Sequence, residues 1–187
     1  MTKIIIGLIG TNGSGKSTIC EYLESRGFMR YSLSDKLRTY VEEKGGEATR
    51  DSLMRLGSEL KERRGQDVLA RDVFEDVLTD DAERVVLDSI RNPAEVAYLK
   101  SNGVMFIGVD AALETRYERI TQRKRATDHI DFETFKRQDQ QENTGESTGQ
   151  NIYEAIKACE SIVINDASQQ ELLAQVDQLL TICNVLD

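Results

Sequence analysis

The chain has 187 residues, of which 39% are hydrophobic and 30% charged, and its formal net charge at pH 7 is −9. This composition is typical of a soluble globular domain with a sizeable core, and the apolar runs are too short to span a bilayer, so we expect no membrane partner. General nucleic-acid binders are basic, so the acidic balance argues against a long DNA or RNA partner.

The cysteines point to a reducing compartment. Cys20, Cys159 and Cys183 lie far apart and form no C-x-x-C pair. This spacing predicts free thiols and not a disulfide or metal framework. Residues 1–3 lead directly into an apolar segment, and nothing there resembles a signal peptide. We therefore expect a cytoplasmic protein with a single domain over residues 1–187, as a monomer or homodimer.

The first predicted elements are a strand, a glycine-rich loop and a helix. Residues 4–9 are almost continuously apolar, as in a buried parallel strand, and residues 17–23 place apolar side chains at helical spacing. Between them, residues 10–18 read GTNGSGKST and fit the phosphate-binding loop (P-loop) pattern G-x-x-x-x-G-K-[ST], also called Walker A. A glycine-rich turn that fits by chance is the alternative, and the flanking strand and helix argue against it.

The residue types of this loop indicate nucleotide binding. Glycines let backbone N–H groups surround phosphate oxygens, and the helix N-terminus adds partial positive charge there. Lys16 is predicted to reach the β- and γ-phosphates of ATP, and the Ser17 hydroxyl is predicted to ligate Mg²⁺. The predicted cofactor-binding residues of the loop are Asn12, Gly13, Ser14, Gly15, Lys16, Ser17 and Thr18.

Downstream, predicted strands alternate with predicted helices. A short strand at 29–33 precedes a helix for which Ser34 is the expected N-cap. The other predicted strands are 84–88, 104–110 and 161–165, the other helices are 49–64, 68–78, 94–101, 111–125, 132–142, 152–159 and 168–182, and 143–149 is a predicted loop. This alternation predicts an α/β fold of three αβα layers around a five-stranded parallel sheet. Ligands of such sheets bind beyond the carboxyl ends of the strands.

Four residues are expected to join the P-loop at that edge. Asp88 ends the third predicted strand, where P-loop proteins place the carboxylate that holds Mg²⁺ directly or through water. Asp35 and Arg38 are three residues apart at a helix start, and Arg91 follows shortly after Asp88. Arginines suit bidentate recognition of an acceptor phosphate, and Asp35 would accept a proton if the acceptor group were a hydroxyl. The alternatives are a turn-capping aspartate and ordinary surface ion pairs.

A dense basic cluster lies in an otherwise acidic protein. Its members are Arg116, Arg119, Arg123, Lys124 and Arg125. One interpretation is a solvated helix face. The other, which we favour because basic residues here need an anionic partner, is a lid over 116–142 that closes on ATP. In that lid Arg119 would bind ATP, and Arg123 and Arg137 would stabilise the transferring phosphoryl group. His129, the single histidine, is expected to be an exposed loop residue.

Several of these segments resemble nucleoside monophosphate kinases. Residues 34–38 (SDKLR) look like the adenylate-kinase segment Gly-Asp-x-Leu-Arg, and residues 87–91 (LDSIR) are similar to its strand-end Asp with an acceptor-binding Arg. Residues 118–123 (ERITQR) and 137–142 (RQDQQE) resemble the entry and exit of its lid. The Asp88-to-Arg91 spacing is one residue shorter than in adenylate kinases. The resemblance implies a P-loop NTPase fold of the nucleotide-kinase type with a short helical lid.

Two further segments resemble other branches of the same group. Residues 88–95 (DSIRNPAE) look like the Asp-x-Arg-x-Pro-x-Glu segment of phage-type deoxynucleoside monophosphate kinases. Residues 162–168 (IVINDAS) resemble dephospho-coenzyme-A kinases and a related, mainly archaeal family, in which the loop after the last strand lies near adenine.

The sequence thus predicts a kinase that uses Mg-ATP to phosphorylate a small phosphorylated acceptor, first of all a (deoxy)nucleoside monophosphate. Helices within 34–79 are expected to bind the acceptor. Three alternatives stay open. One is transfer to a hydroxyl, as in dephospho-coenzyme-A kinases; the second is a nucleotide-dependent switch or ATPase without a small acceptor; the third is a module that binds nucleotide without turnover.

Overall fold

The computed structural model describes residues 3–123, 130–144 and 151–183. Within these ranges the strands are β1 (Ile4–Gly10), β2 (Met29–Ser32), β3 (Arg84–Asp88), β4 (Met105–Asp110) and β5 (Ser161–Ile164). The helices are α1 (Lys16–Ser25), α2 (Leu33–Glu43), α3 (Arg50–Arg64), α4 (Val68–Thr79), α5 (Pro93–Ser101), α6 (Leu113–Arg123), α7 (Phe132–Thr144), α8 (Ile152–Lys157) and α9 (Gln169–Ile182).

The five strands form one parallel sheet in the order β2-β3-β1-β4-β5. This confirms the predicted α/β fold. The central strand β1 pairs with β3 on one side and β4 on the other, so its carboxyl end at Gly10 lies between theirs. The register places Ser32 opposite Asp88 at the carboxyl ends of β2 and β3. The P-loop and Asp88 therefore lie at the same edge.

Apolar residues cover both faces of the sheet because side chains alternate along each strand. Ile5 and Ile9 of β1 belong to a core cluster that includes buried residues of α2, α4, α5 and α8. Ile6 and Leu8 belong to the opposite cluster, with buried residues of α1 and α9. Among helices of the described ranges, none has the length and apolar character of a membrane-spanning segment.

The start of α2 differs from the prediction. Ser32, not Ser34, is the N-cap: its backbone is extended, and its hydroxyl accepts a hydrogen bond from the Asp35 N–H at 3.4 Å. Because β2 runs into α2 without a loop, Ser34 already lies in the first helical turn. Pro93 begins α5, one residue before the predicted start at 94, behind a capping box in which Asn92 and Glu95 satisfy each other's backbone N–H groups.

Smaller differences affect the second half of the chain. Helix α7 continues to Thr144, so part of the predicted loop at 143–149 is helical. Its remaining residues lie outside the described ranges, as do Lys124, Arg125 and His129. The three cysteines are free thiols. Burial raises the pKa of Cys20 and of Cys159 to about 12, so both are protonated at neutral pH.

Candidate functional site

The P-loop between β1 and α1 depends on glycine at two positions. Gly13 and Gly15 adopt φ values of 82° and 102°, in the left-handed region that other residues rarely enter. A Cβ on Gly13 would lie 2.7 Å from the carbonyl oxygen of Arg116, and a Cβ on Gly15 would collide with the Asn165 side chain. The loop therefore needs glycine both for its backbone conformation and for its close packing against α6 and the end of β5.

Lys16 folds back over this loop. Its Nζ donates to the carbonyl oxygens of Gly10 at 2.5 Å and Thr11 at 3.0 Å. Burial lowers the pKa of Lys16 from 10.5 to about 8, and the nearby carboxylate of Asp88 opposes this shift. A phosphate beside Nζ would add a second negative charge and would favour the ammonium form further.

Asp88 is buried at the end of β3, and both of its carboxylate oxygens accept hydrogen bonds. The Ser89 N–H donates to Oδ1 at 2.6 Å, and Nη2 of Arg30 donates to Oδ2. The sequence analysis missed Arg30. It lies on β2, two residues before Ser32, and the strand pairing that brings it to Asp88 is a tertiary relationship with no local sequence signal.

A cavity of about 230 Å³ opens beside the loop. Its lining residues are Gly10, Asn12, Lys16, Ser89, Ile90, Arg91, Arg123, Glu142 and Ile152. The cavity therefore brings together the predicted phosphate-binding Lys16, the predicted acceptor-binding Arg91 and the predicted lid residue Arg123. It also contains a carboxylate that the sequence analysis did not single out, Glu142 near the end of α7.

The three predicted lid arginines make contacts with different parts of the protein. Arg123 donates from Nη2 to Oδ1 of Asn12, a residue of the P-loop, at 3.2 Å. Arg119 donates to the carbonyl oxygen of Asn165 at 2.8 Å. Arg137 is exposed, hydrogen-bonds to Thr134 on its own helix at 3.3 Å and does not line the cavity. Of the three predicted lid residues, only Arg123 lies against the cavity.

Arg116 corrects the interpretation of the basic cluster as one exposed face. It is 3% exposed and forms a two-point ion pair with Asp139 of α7, with Nη2 2.9 Å from Oδ2. The same guanidinium donates to the carbonyl oxygens of Ala111 at 3.0 Å and Asn12 at 3.3 Å. Arg116 thus joins α6, α7 and the P-loop.

Asn165, just after β5, is a third residue that the predicted site omitted. It is buried, and its Nδ2 donates to the Ser14 carbonyl oxygen at 2.8 Å. Since Arg119 binds the backbone oxygen and Oδ1 of Asn165, a chain of hydrogen bonds runs from α6 to the P-loop. The resemblance of residues 162–168 to dephospho-coenzyme-A kinases suggested that this segment lies near adenine, but it did not predict the contact with the P-loop.

The predicted acceptor side lies at the carboxyl ends of β2 and β3. Asp35 and Arg38 are exposed on the first turns of α2 and face each other at 3.5 Å; neither lines the cavity. The hydroxyls of Ser32, Ser34 and Ser89 form a cluster with oxygen separations of 3.0 to 3.3 Å. Ser89 has φ 65°, the one positive φ of a non-glycine residue in the described part of the chain.

The donor set suits a Mg-nucleotide. Ser17, on the first turn of α1, is exposed, and Thr18 is half-buried. A hydroxyl, a strand-end carboxylate and the oxygens of bound phosphates are the ligands that Mg²⁺ takes in P-loop proteins. Each oxygen of Asp88 accepts one hydrogen bond, from Ser89 and from Arg30, and a carboxylate oxygen can accept more than one partner, so the site fits Mg²⁺ held directly or through water.

Comparisons with known proteins agree with this architecture. A family model described as an AAA domain matches residues 6–145. A UPF0200 protein of Hyperthermus butylicus is 31% identical over 96% of this chain and 94% of its own length. The UPF0200 protein MJ1399 of Methanocaldococcus jannaschii is 28% identical over 95% of this chain and 89% of its own length.

Solved structures show the same fold at lower identity. TT1252 from Thermus thermophilus superimposes with a TM-score of 0.64 at 23% identity, covering 97% of this chain and 98% of that one. Shikimate kinase from Acinetobacter baumannii, in complex with shikimate, gives a TM-score of 0.60 at 15% identity over 100% and 97% of the two chains. The chain therefore belongs to the AAA domain family and to the UPF0200 proteins, within the superfamily of P-loop nucleotide kinase-like proteins.

Proposed function

We propose that the protein is an ATP-dependent phosphotransferase that moves the γ-phosphoryl group of Mg-ATP to a small phosphorylated acceptor, with a (deoxy)nucleoside monophosphate as the first candidate. The observation that carries this proposal is the shared cavity of Lys16, Arg91 and Arg123. Three cationic side chains from separate segments surround one space at the mouth of the P-loop. That arrangement suits two polyanions held end to end better than it suits one nucleotide alone.

In this proposal the chain contributes mainly positioning and charge. The loop amides and Lys16 hold the β- and γ-phosphates, Ser17 and Asp88 hold Mg²⁺, and Arg119 orders the nucleotide side. Mg²⁺ held by Ser17 and Asp88 would supply neutralisation of the phosphate charge. An acceptor oxygen forms a bond to the γ-phosphorus while the bond to the β–γ bridging oxygen breaks, which leaves ADP.

The arginines divide between the two substrates. Arg123, which contacts Asn12 of the loop, stabilises charge on the transferring group. Arg91 and Arg38 seat the acceptor. Arg137 lies outside the cavity, so its proposed part in transfer requires movement of α7 within a lid over 116–142. The helices of 34–79 form the acceptor side of a single domain over 1–187.

Transfer to a hydroxyl is the second candidate, and Glu142 is the observation that favours it. A carboxylate that lines the same cavity as Lys16, Arg91 and Arg123 can accept a hydroxyl proton, a task that a phosphate acceptor does not require. Asp35 is the alternative base. Several structural neighbours bear the name shikimate kinase. We propose cytoplasmic action as a monomer or homodimer, without a long nucleic acid or a membrane.

The test is a screen of ATP consumption against nucleoside monophosphates, dephospho-coenzyme A and small phosphorylated metabolites, with wild type, Lys16→Ala and Lys100→Ala. Lys100 pairs with Glu160 at the opposite end of the sheet and is the matched control. We expect a phosphorylated product with wild type and the control and none with Lys16→Ala, whose circular dichroism should be unchanged. Undiminished transfer by Lys16→Ala would contradict the proposal. Free phosphate without a phosphorylated product would identify an ATPase or switch.

A further inference from the structure

The ion pair between Arg30 and Asp88 bears on how the protein takes its metal. Arg30 is 31% exposed at its side chain and reaches from β2 to the Asp88 carboxylate, whose side chain is 9% exposed. The contact is made at the carboxyl ends of neighbouring strands, where Ser32 and Asp88 lie in register. This places a fixed cation beside the carboxylate expected to serve Mg²⁺.

Each oxygen of Asp88 accepts a hydrogen bond from a neighbouring group. Oδ1 accepts the Ser89 N–H at 2.6 Å, and Oδ2 accepts the Arg30 guanidinium. A Mg²⁺ ion bound directly to Oδ2 would either displace the Arg30 guanidinium or lie close to its positive charge. Charge repulsion and the loss of a charge-assisted hydrogen bond both oppose that arrangement.

The inward position of the Arg30 guanidinium is energetically unfavourable at one atom. Its Nε is buried without a hydrogen-bond partner among the described residues, and its second ion pair, to Glu24, spans 3.9 Å. Lys16 is a second cation that interacts electrostatically with Asp88. An unsatisfied buried donor is unfavourable, so a surface role alone does not explain why this guanidinium points inward.

We propose that Arg30 is a positioning residue that prevents direct ligation of Mg²⁺ by Asp88, so that Asp88 acts on the metal through a water molecule and Arg30 sets the Mg²⁺ requirement. This inference rests on the proposed function because it assumes a Mg-nucleotide in the P-loop. It assigns to Arg30 a part in metal binding that the loop pattern does not contain.

The first experiment measures ADP binding by titration calorimetry at increasing Mg²⁺ concentration. Arg30→Met frees Oδ2, so the Mg²⁺ concentration for half-maximal effect should fall about tenfold. Arg30→Lys, which keeps the charge, should stay near wild type. Arg26→Met, which removes an exposed ion pair with Asp177, is the matched control and should not shift. An unchanged or raised Mg²⁺ requirement in Arg30→Met would overturn the inference.

The second experiment does not depend on the fold of Arg30→Met. Mn²⁺ replaces Mg²⁺ in the ADP complex, and electron spin echo modulation in D₂O counts the metal-bound waters in wild type and Asp88→Ala. Water-mediated action predicts equal counts, whereas direct ligation predicts one more water in Asp88→Ala and would overturn the inference. If wild type showed no metal effect on ADP binding at all, the proposed function would fail together with the inference.

Discussion

Asn165 supports the P-loop from behind, because its Nδ2 donates to the carbonyl oxygen of Ser14 at 2.8 Å. The same side chain fills the space that a Cβ on Gly15 would need. Asn165 thus fixes the loop that is expected to surround the phosphates, and it transmits the position of Arg119 on α6 to that loop.

Replacing Asn165 with Ala should weaken ADP binding about tenfold, because a loop held by one fewer buried hydrogen bond must be ordered by the ligand. The free energy of unfolding should fall by about 1–3 kcal/mol, since the Ser14 carbonyl loses its partner. Titration calorimetry and urea denaturation measure the two effects. Asn102→Ala, at an exposed helix end, is the control and should leave ADP affinity unchanged. Full ADP affinity in Asn165→Ala would contradict this role.

The backbone of Ser89 predicts an unusual stability result. A non-glycine residue at φ 65° costs about 1 kcal/mol, so Ser89→Gly should raise the free energy of unfolding by up to about that amount. Ser89→Ala keeps the strain and should not gain. Both variants lose the hydroxyl that contacts Ser32 and Ser34, so the difference between them isolates the backbone term. Equal stabilities of the two variants in urea denaturation would show that Ser89 is not strained.

Arg116 should be critical for folding stability. Arg116→Met leaves Asp139 buried without its partner, and breaking a buried ion pair in this way costs about 3–5 kcal/mol. Arg63→Met removes an exposed pair with Glu59 on α3 and should change stability by less than about 1 kcal/mol. Urea denaturation compares the variants. Similar stabilities of the two variants would contradict this structural role of Arg116.

The Lys16 ammonium predicts a pH dependence of nucleotide binding. Since burial lowers its pKa to about 8, the free protein loses this charge as pH rises through that value, while phosphates already ionised favour the charged form. Affinity for ADP should therefore be constant below about pH 7.5 and fall above pH 8, with proton uptake on binding. Lys16→Arg stays charged and should show no such decline. Calorimetry in two buffers of different ionisation enthalpy detects the uptake, and a flat wild-type profile to pH 9.5 would contradict the prediction.

Local sequence patterns predicted the elements and the P-loop because glycine spacing, apolar runs and caps act over a few residues. The prediction of Ser34 as the N-cap of α2 was wrong, because the pairing of β2 with β3 extends the strand to Ser32, which is the cap. Arg30, Glu142 and Asn165 were missed because each reaches the site through contacts between distant segments.

The clustering of basic residues in the sequence did not show which arginines line the cavity and which are buried. Arg116 and Arg123 belong to one basic run, yet one is a buried structural residue and the other lies at the cavity. Helical spacing could have separated them, since Arg116 shares the inward face with Ile120. The roles of Arg38 in acceptor binding and of Arg137 in transfer stay predictions, because neither side chain lines the cavity.

The central claim, that the protein transfers a phosphoryl group, is tested most directly by ³¹P nuclear magnetic resonance. The reaction contains Mg-ATP and the acceptor with which the protein consumed most ATP in the screen. Phosphotransfer in the cavity of Lys16, Arg91 and Arg123 predicts equal amounts of ADP and phosphorylated acceptor. It also predicts a KM for the acceptor raised by Arg91→Ala and a kcat lowered by Arg123→Ala. Free phosphate equal to ADP, with no phosphorylated acceptor from any member of the panel, would contradict the account.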